Sequence, residues 1–250
     1  MSNLRGFRGG LIRTLCALVI LLCCAWLSLY LDSVVQRRKA ERFLSDLKSF
    51  PFANASFVQI RDLVVRYGGS TAQEIPGCTM RQCTFVVRIE HPLVALPGKG
   101  RSAESLYSAL PYLGIRPWFV HSDFEVSQNR LETCGTQIAQ VRRGKLGPYE
   151  GILPIKYQVW AERHLDMEVG NAGYIVGPPG GIVGPPQEVW LAWVPLVPNA
   201  PMSRVFDLDL NCFSALWHGC SGYRELAPSA WTDHQASYRE LKKVSPAPGS

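Results

Sequence analysis

A run of uncharged residues at positions 14–31 constrains this chain more than any other feature. Its eighteen positions, mostly Leu, Ala, Val, Ile and Cys, are long enough for a helix that crosses a bilayer. Basic residues precede the run, but no small-residue cleavage site follows it, which favours an uncleaved signal anchor over a removable signal peptide. We therefore predict a tail at 1–13 and a single transmembrane helix at 14–31.

The flanking charges do not fix the direction of this span. Three arginines precede it, and a similar basic group follows it: Arg37, Arg38, Lys39 and Arg42. These four cations suit anionic lipid headgroups beside the span, or a solvated helix face. The lipid bilayer is therefore one expected partner, and the direction must come from other residues.

Cysteine spacing supplies the direction. Three of the eight cysteines lie within the apolar run, and four of the remaining five form two close pairs: Cys78 with Cys83, and Cys212 with Cys220. Close pairs predict local disulfides in an oxidising compartment. We therefore predict a cytoplasmic N-terminus in the inner (plasma) membrane and a periplasmic or extracellular C-terminal domain. Cys134 is left over as a buried free thiol, or alternatively as the site of an intermolecular disulfide.

The composition indicates a folded domain after the span. About 200 residues follow it, with 10% aromatic and 18% charged residues in the whole chain, which suits one domain with its own core. The formal net charge of +6 is modest, and no basic run is interleaved with aromatics. Nucleic acid is therefore not an expected partner.

Helical periodicity marks two segments. Apolar positions at Ala40, Phe43, Leu44 and Leu47 predict a juxtamembrane helical stem at 32–50, which Pro51 ends. Ser56 then reads as the N-cap of a helix that closes at Gly68 and Gly69. We place the exported domain at 51–240.

A period of two predicts several strands. The first covers 84–90, directly after Cys83, and a hairpin follows at 118–126 and 131–141. Further strands are expected at 155–162 and 188–197, and a short helix at 103–110. The fold class is therefore α+β: a transmembrane helix with an extended stem, then a mostly antiparallel sheet of about five strands with a few helices.

A tandem repeat rich in Gly and Pro occupies 171–187, where Ile-Val-Gly-Pro-Pro occurs twice. Proline cannot donate to a sheet ladder, so we predict a loop, partly of polyproline type. It is either a contact surface for a partner or a tolerated insertion, and the insertion is favoured because no flanked PxxP motif is present. A disordered tail is expected at 241–250.

No constellation of reactive residues is persuasive. The best metal candidates are Cys212, His218, Cys220 and His234, but their spacing matches no ordinary zinc clip, and exported cysteines tend to oxidise. Asp207 and Asp209, two apart on a presumed strand, would share one face and offer paired carboxylates. Exposed strand faces of this kind are common, so we predict no catalytic residue, no metal and no cofactor.

Several motifs together carry a resemblance. They are the anchor and stem, the helix ending Val65-Arg66-Tyr67-Gly68-Gly69, the Cys78 to Cys83 pair before a strand, and a closing region with Phe206-Asp207-Leu208-Asp209-Leu210, Cys212, Cys220 and Leu226-Ala227-Pro228-Ser229-Ala230-Trp231. In this order they resemble an uncharacterised family of bacterial single-pass envelope proteins. The region around 50–90 is also distantly similar to β-lactamase-inhibitor-like envelope modules, which bind other proteins; this chain lacks their lipidated cysteine.

These features favour a membrane-anchored cell-envelope protein whose exported domain binds or assembles with a partner and catalyses nothing. The partner would be another envelope protein, or a second copy joined through the stem as a homodimer. The alternative is an envelope hydrolase or zinc-dependent enzyme built on the region from Asp207 to Cys220.

Overall fold

The computed structural model describes residues 3–72, 78–94, 110, 115–146, 149–163, 175–177, 188–196, 202–214 and 219–244, with backbone alone at 3–11, 141–155, 175–177, 188–190 and 237–244. The predicted helix at 103–110 lies outside this part except for Leu110. Most of the Gly/Pro-rich region and the last six residues also lie outside it.

The first element, α1 (Asn3–Ser49), is a single helix of 47 residues. At 1.5 Å per residue it is about 70 Å long. The span from Ile12 to Ser49 contains a window long and apolar enough to cross a membrane, and none of that window is buried against the rest of the protein. The predicted anchor and the predicted stem are therefore one unbroken helix.

The second half of α1 belongs to the folded domain. Four of its side chains are buried in the main core: Ala40, Phe43, Leu44 and Leu47. The Phe43 ring meets Tyr67 edge-on, with ring centroids 5.0 Å apart. The apolar stripe that predicted a stem is thus covered by the protein's own core, because burying it there removes it from water.

One mixed sheet of seven strands forms the centre of the domain. Its strands are β1 (Ser70–Thr71), β2 (Gln82–Glu90), β3 (Trp118–Ser127), β4 (Arg130–Leu146), β5 (Tyr149–Glu162), β6 (Ile175–Gly177) and β7 (Glu188–Pro195), in the spatial order β1-β2-β3-β4-β5-β7-β6. The α+β class is confirmed. Five strands are long, as expected, and the two edge strands are very short.

Most neighbouring strands are antiparallel, and β5 with β7 is a parallel pair. The chain leaves β5, forms β6 at the sheet edge and returns to β7 between the two. The Gly/Pro-rich region was predicted to be a loop, but its first Ile-Val-Gly is strand β6, paired with β7. β-Branched residues at Ile175 and Val176 suit an edge strand even beside prolines.

The predicted hairpin is confirmed as β3 and β4. The residues at its turn, Gln128 and Asn129, both have positive φ angles, 50° and 63°. Positive φ at both central positions is the geometry of a two-residue turn that matches the twist of the strands. The register then places Phe124 opposite Cys134 and Trp118 opposite Gln140.

Helix α2 (Phe57–Arg66) follows a short 3-10 turn and matches the prediction closely. Ser56 caps it in a capping box: its hydroxyl accepts from the Gln59 backbone, and the Gln59 side chain accepts from the Ser56 backbone. Gly68 adopts a φ of +69° just after the helix, which an L side chain rarely does.

The described residues after β7 contain three helices: α3 (Met202–Val205), α4 (Tyr223–Leu226) and α5 (Pro228–Val244). The strand presumed around 204–210 is wrong, because this segment contains the end of α3 and an irregular stretch leading to a 3-10 turn, Asn211–Ser214. Val205, Phe206 and Leu210 are buried in the core without an alternating strand. The predicted tail at 241–250 is also corrected, since α5 continues to Val244.

The two faces of the sheet differ in their surroundings. One face carries the buried positions Phe85, Val87, Val120, Phe124 and Ile138, which form the core with α1 and α2. The residues that alternate with them face the other way and keep partial exposure. This one-sided burial is typical of an antiparallel sheet.

Candidate functional site

The paired cysteines lie at disulfide distance. The Cα atoms of Cys78 and Cys83 are 4.6 Å apart, those of Cys212 and Cys220 are 4.7 Å apart, and both pairs are bonded. Two of the four metal candidates are therefore bonded to each other. His218 lies outside the described residues, and the ring of His234 lies 6.3 Å from that of Trp231. Within the described residues, no group of three or more His, Cys, Asp or Glu is placed to hold a metal.

The two carboxylates of the alternative enzyme site have separate structural roles. Asp207 accepts hydrogen bonds from Lys48 Nζ at 2.6 Å and from Ser229 Oγ at 2.5 Å. The hydrogen bond from Lys48, followed by that from Ser229, holds the pKa of Asp207 below its usual value. Asp209 Oδ1 accepts from the Asn211 backbone at 2.9 Å. Asp207 thus joins the end of α1 to α5, and Asp209 caps the following turn.

Gln140 connects the sheet to the loop closed by Cys212 and Cys220. Its side chain is fully buried; Nε2 donates to the Cys212 carbonyl at 3.3 Å, and Oε1 accepts from the Cys220 backbone at 2.8 Å. One amide therefore satisfies a backbone group on each side of the disulfide. This fixes the loop against β4 at the end of the sheet where the apolar half of α1 enters the domain.

At the same end, α1 contacts the sheet only two residues after the apolar run. Ser33 is buried, and its hydroxyl accepts a hydrogen bond from the indole Nε1 of Trp118 at 3.3 Å. Trp118 is fully buried, and its ring centroid lies 5.4 Å from that of Phe213. The domain therefore begins immediately beside the candidate span, with no linker between them.

His91 is a further buried polar group at this junction. Its Nδ1 accepts from the Leu93 backbone at 3.2 Å, and its own backbone N–H donates to the Trp118 carbonyl at 2.9 Å. Burial lowers the pKa of His91 to about 4, against an opposing effect from the Asp32 carboxylate. The imidazole is therefore neutral at physiological pH and closes the turn after β2.

Cys134 is a buried thiol with no sulfur partner. Burial raises its pKa to about 12, so it carries no thiolate character at neutral pH. It lies on the core face of β4 opposite Phe124, where a second chain does not reach it in the folded state. An intermolecular disulfide through Cys134 would require the core to open.

The most distinctive surface is the partly exposed face of the sheet, which we call the open face. Its centre is Trp160 on β5, with 38% of its surface exposed, beside Trp193 on β7 at a ring-centroid distance of 6.3 Å. Gly135 on β4 lies directly opposite Trp160. A Cβ at Gly135 would lie 3.0 Å from Trp160 Cζ3, so glycine lets the indole pack closely over β4.

Polar residues surround the two indoles. On β3, His121 Nε2 and Asp123 Oδ1 are 3.0 Å apart, and the register places His121 opposite Gln137 and next to Arg88. Gln137 in turn pairs with Gln158 on β5. The open face therefore combines an aromatic centre with hydrogen-bonding groups of both kinds, which is typical of a binding surface rather than of a reaction centre.

Sequence reasoning did not single out the open face or Gln140. Trp160 and Trp193 belong to strands that the alternating pattern did predict, but their juxtaposition depends on the parallel pairing of β5 with β7. That pairing has no local signal. The glycine opposite Trp160 was the available clue, since glycine inside a strand often marks a close approach.

No family model, no curated protein and no solved structure matches the chain.

Proposed function

We propose that this is a membrane-anchored protein of the bacterial cell envelope, whose exported, non-catalytic domain binds another envelope protein through the open face. The single observation that carries the proposal is the unbroken helix α1, which is apolar and unburied in its first half and part of the core in its second half. An anchor joined to a domain without a linker holds one surface of that domain at a fixed height and angle above the bilayer.

The chemistry of the open face supports binding rather than catalysis. Exposed tryptophans are enriched at the centres of protein interfaces, where they bury a large area with little loss of side-chain freedom. Two groups of the alternative enzyme site have structural partners instead. Asp207 accepts hydrogen bonds from Lys48 and Ser229, and Cys212 is bonded to Cys220. The hydrolase or zinc-enzyme alternative therefore has no supporting geometry among the described residues.

The compartment and direction are tested by thiol labelling of intact cells with a membrane-impermeant maleimide. We expect Cys78 and Cys83 to be labelled only after a reductant is added, and without permeabilisation of the inner membrane. Labelling that needs permeabilisation but no reductant would contradict both the exported position of the domain and its two disulfides.

The binding site is tested by a photocrosslinking amino acid placed at residue 160 of the full chain in cells. A matched control position is Val65, which is also exposed but lies on α2. We expect adducts of defined mass from position 160 and none from position 65. An adduct at twice the mass of the chain would show that the partner is a second copy of this chain and not another envelope protein. Equal yields from both positions, or no adduct at 160, would overturn the open face as the binding site.

A further inference from the structure

The hairpin formed by β4 and β5 is longer than the rest of the sheet. Strand β3 begins at Trp118, opposite Gln140, and β7 begins at Glu188, opposite Ile155. The ladder between β4 and β5 nevertheless continues, from Val141 with Pro154 to Leu146 with Tyr149. Among the described elements, residues 141–146 and 149–154 therefore form a two-stranded extension, which we call the hairpin extension.

The hairpin extension runs toward the apolar half of α1. Ser33, near the start of the packed half of α1, contacts Trp118 at the beginning of β3. Beyond the end of α1, the Ala55 carbonyl accepts from the Leu131 backbone, and Asn129 Oδ1 accepts from the Phe57 backbone. Helix α1 and strand β3 thus run in the same direction, and β4 runs in the opposite one, back toward the candidate span.

Its length is sufficient to reach the bilayer surface. Six residues of β4 follow Gln140, and at about 3.4 Å per residue they extend roughly 20 Å beyond the Trp118 pair. Even with a crossing angle of about 45° between helix and strand, about 14 Å of this length lies along α1. Ser33, at the level of Trp118, is only two positions beyond the last residue of the uncharged run. The extension therefore reaches the height of the lipid headgroups near Arg142 and Arg143, and its tip continues beyond that height.

The sequence of the hairpin extension suits that height. It contains three basic residues, Arg142, Arg143 and Lys145, against a single acid, Glu150. Its remaining positions include several apolar ones: Val141, Leu146, Tyr149, Ile152 and Leu153. Basic residues beside a bilayer are attracted to anionic lipids, and aromatic and aliphatic residues are favoured at its interface.

We propose that the hairpin extension is a second membrane contact, which binds anionic phospholipid headgroups of the same bilayer that α1 spans. The inference depends on the proposed anchor, because the height of the hairpin is set by α1. Two contacts, the span and the hairpin, would prevent the domain from tilting about the point where α1 leaves the bilayer. The open face would then be presented at one angle.

The test is hydrogen–deuterium exchange of the full chain in nanodiscs of two compositions, phosphatidylcholine alone and a mixture with phosphatidylglycerol. We expect amide exchange in 141–154 to slow by about tenfold or more in the anionic discs, since each of the three cations near an anionic surface favours contact by roughly fivefold. Exchange in α2, at a distance from the junction, should be the same in both.

Two triple variants complete the design. Arg142→Gln/Arg143→Gln/Lys145→Gln should abolish the lipid-dependent difference, whereas the matched variant Arg61→Gln/Arg81→Gln/Arg130→Gln, at exposed positions of the far end, should retain it. Equal exchange of the wild-type hairpin in both discs, or a difference that survives the hairpin substitutions, would overturn the inference. A chain that does not enter the discs at all would instead overturn the proposed anchor.

Discussion

The two ends of the domain along α1 are built in different ways. The end away from the apolar run, which we call the distal end, is built from local motifs: the capping box of Ser56 with Gln59, and the turn at Gln128 and Asn129. The end beside the apolar run, the proximal end, is held by buried polar groups far apart in sequence. Ser33 and Trp118 are separated by 85 positions, and Gln140 and Cys220 by 80.

This difference has energetic consequences. A capped helix or a tight turn contributes about 1 kcal/mol and can form early from neighbouring residues. A buried amide or indole contributes little net energy when it is paired, but costs much more when its partner is lost. Substitutions at the proximal end should therefore be more damaging than chemically similar ones at the distal end or on the open face.

The largest effect is expected for Trp118→Ala at the proximal end. Removing this fully buried indole leaves a cavity beside Phe213 and deprives Ser33 of its partner, which should lower the free energy of unfolding by about 3–5 kcal/mol. The measurement is urea denaturation of the full chain in detergent micelles, followed by circular dichroism. Trp160→Ala on the open face is the control, with an expected loss of about 1 kcal/mol; equal losses would remove the distinction between the two faces.

The second largest effect is expected for the pH dependence of the free energy of unfolding. The folded state holds His91 neutral with a pKa of about 4, whereas the unfolded chain takes up a proton near pH 6.5. The stability from neutral His91 is therefore complete above about pH 6.5 and is lost as the pH falls toward 4, by roughly 3 kcal/mol in total. Because the pKa of Asp207 is lowered, its contribution is lost only at still lower pH.

The check is the unfolding free energy measured at several pH values in that window. His91→Asn should flatten the profile between pH 6.5 and 4, and His121→Asn, a substitution on the open face, should leave it steep. A wild-type profile that is already flat across this window would show that His91 is not held neutral at the proximal end.

A smaller loss, about 2 kcal/mol, is expected for Gln140→Leu. The substitution keeps the side chain similar in size but makes it apolar, and so leaves the buried backbone groups of Cys212 and Cys220 without their partner. Gln137→Leu on the same strand faces the open side and should change the unfolding free energy by less than about 0.5 kcal/mol. If Gln137→Leu proved the more damaging of the two, the assignment of the faces would be wrong.

The smallest effect is expected at the distal end. Ser56→Ala removes the cap of α2 and should cost about 1 kcal/mol, and Ser56→Gly only a few tenths. Ser45→Ala, at an exposed position inside α1, is the control and should be neutral or slightly stabilising, because alanine is the better helix former. Thermal denaturation of the three variants in parallel provides the comparison.

The same contrast explains which parts of the fold the sequence could predict. Ser56, Gly68 and the Gln128–Asn129 turn give their signals within a few residues, and the helix and hairpin there were predicted correctly. The segment around Asp207 was assigned to a strand because its apolar residues alternate. Burial of Phe206 and Leu210 in the core, where the Phe206 ring stacks on Phe52, outweighs that alternation, and nothing within the segment indicates it.

The candidate site was less accessible to sequence reasoning than the fold. The two close cysteine pairs were predicted from spacing alone, and both are bonded in the structure. The open face depends on β7 lying parallel to β5, which brings Trp193 beside Trp160 across 33 positions of chain. The position of Gln140 depends on the full β3–β4 register and on a loop some 70 residues later.

Because no linker separates the two halves of α1, the rotation of the domain about the helix axis is fixed relative to the apolar half. Each helical residue turns the chain by about 100° and advances it by 1.5 Å. One residue inserted between Leu31 and Ser33 would thus rotate the open face by about a quarter of a turn around the axis of the apolar half of α1, while moving it along that axis by only about 1.5 Å. Seven inserted residues would nearly restore its original bearing. The number of residues in α1 therefore determines the direction in which the open face points around the helix axis.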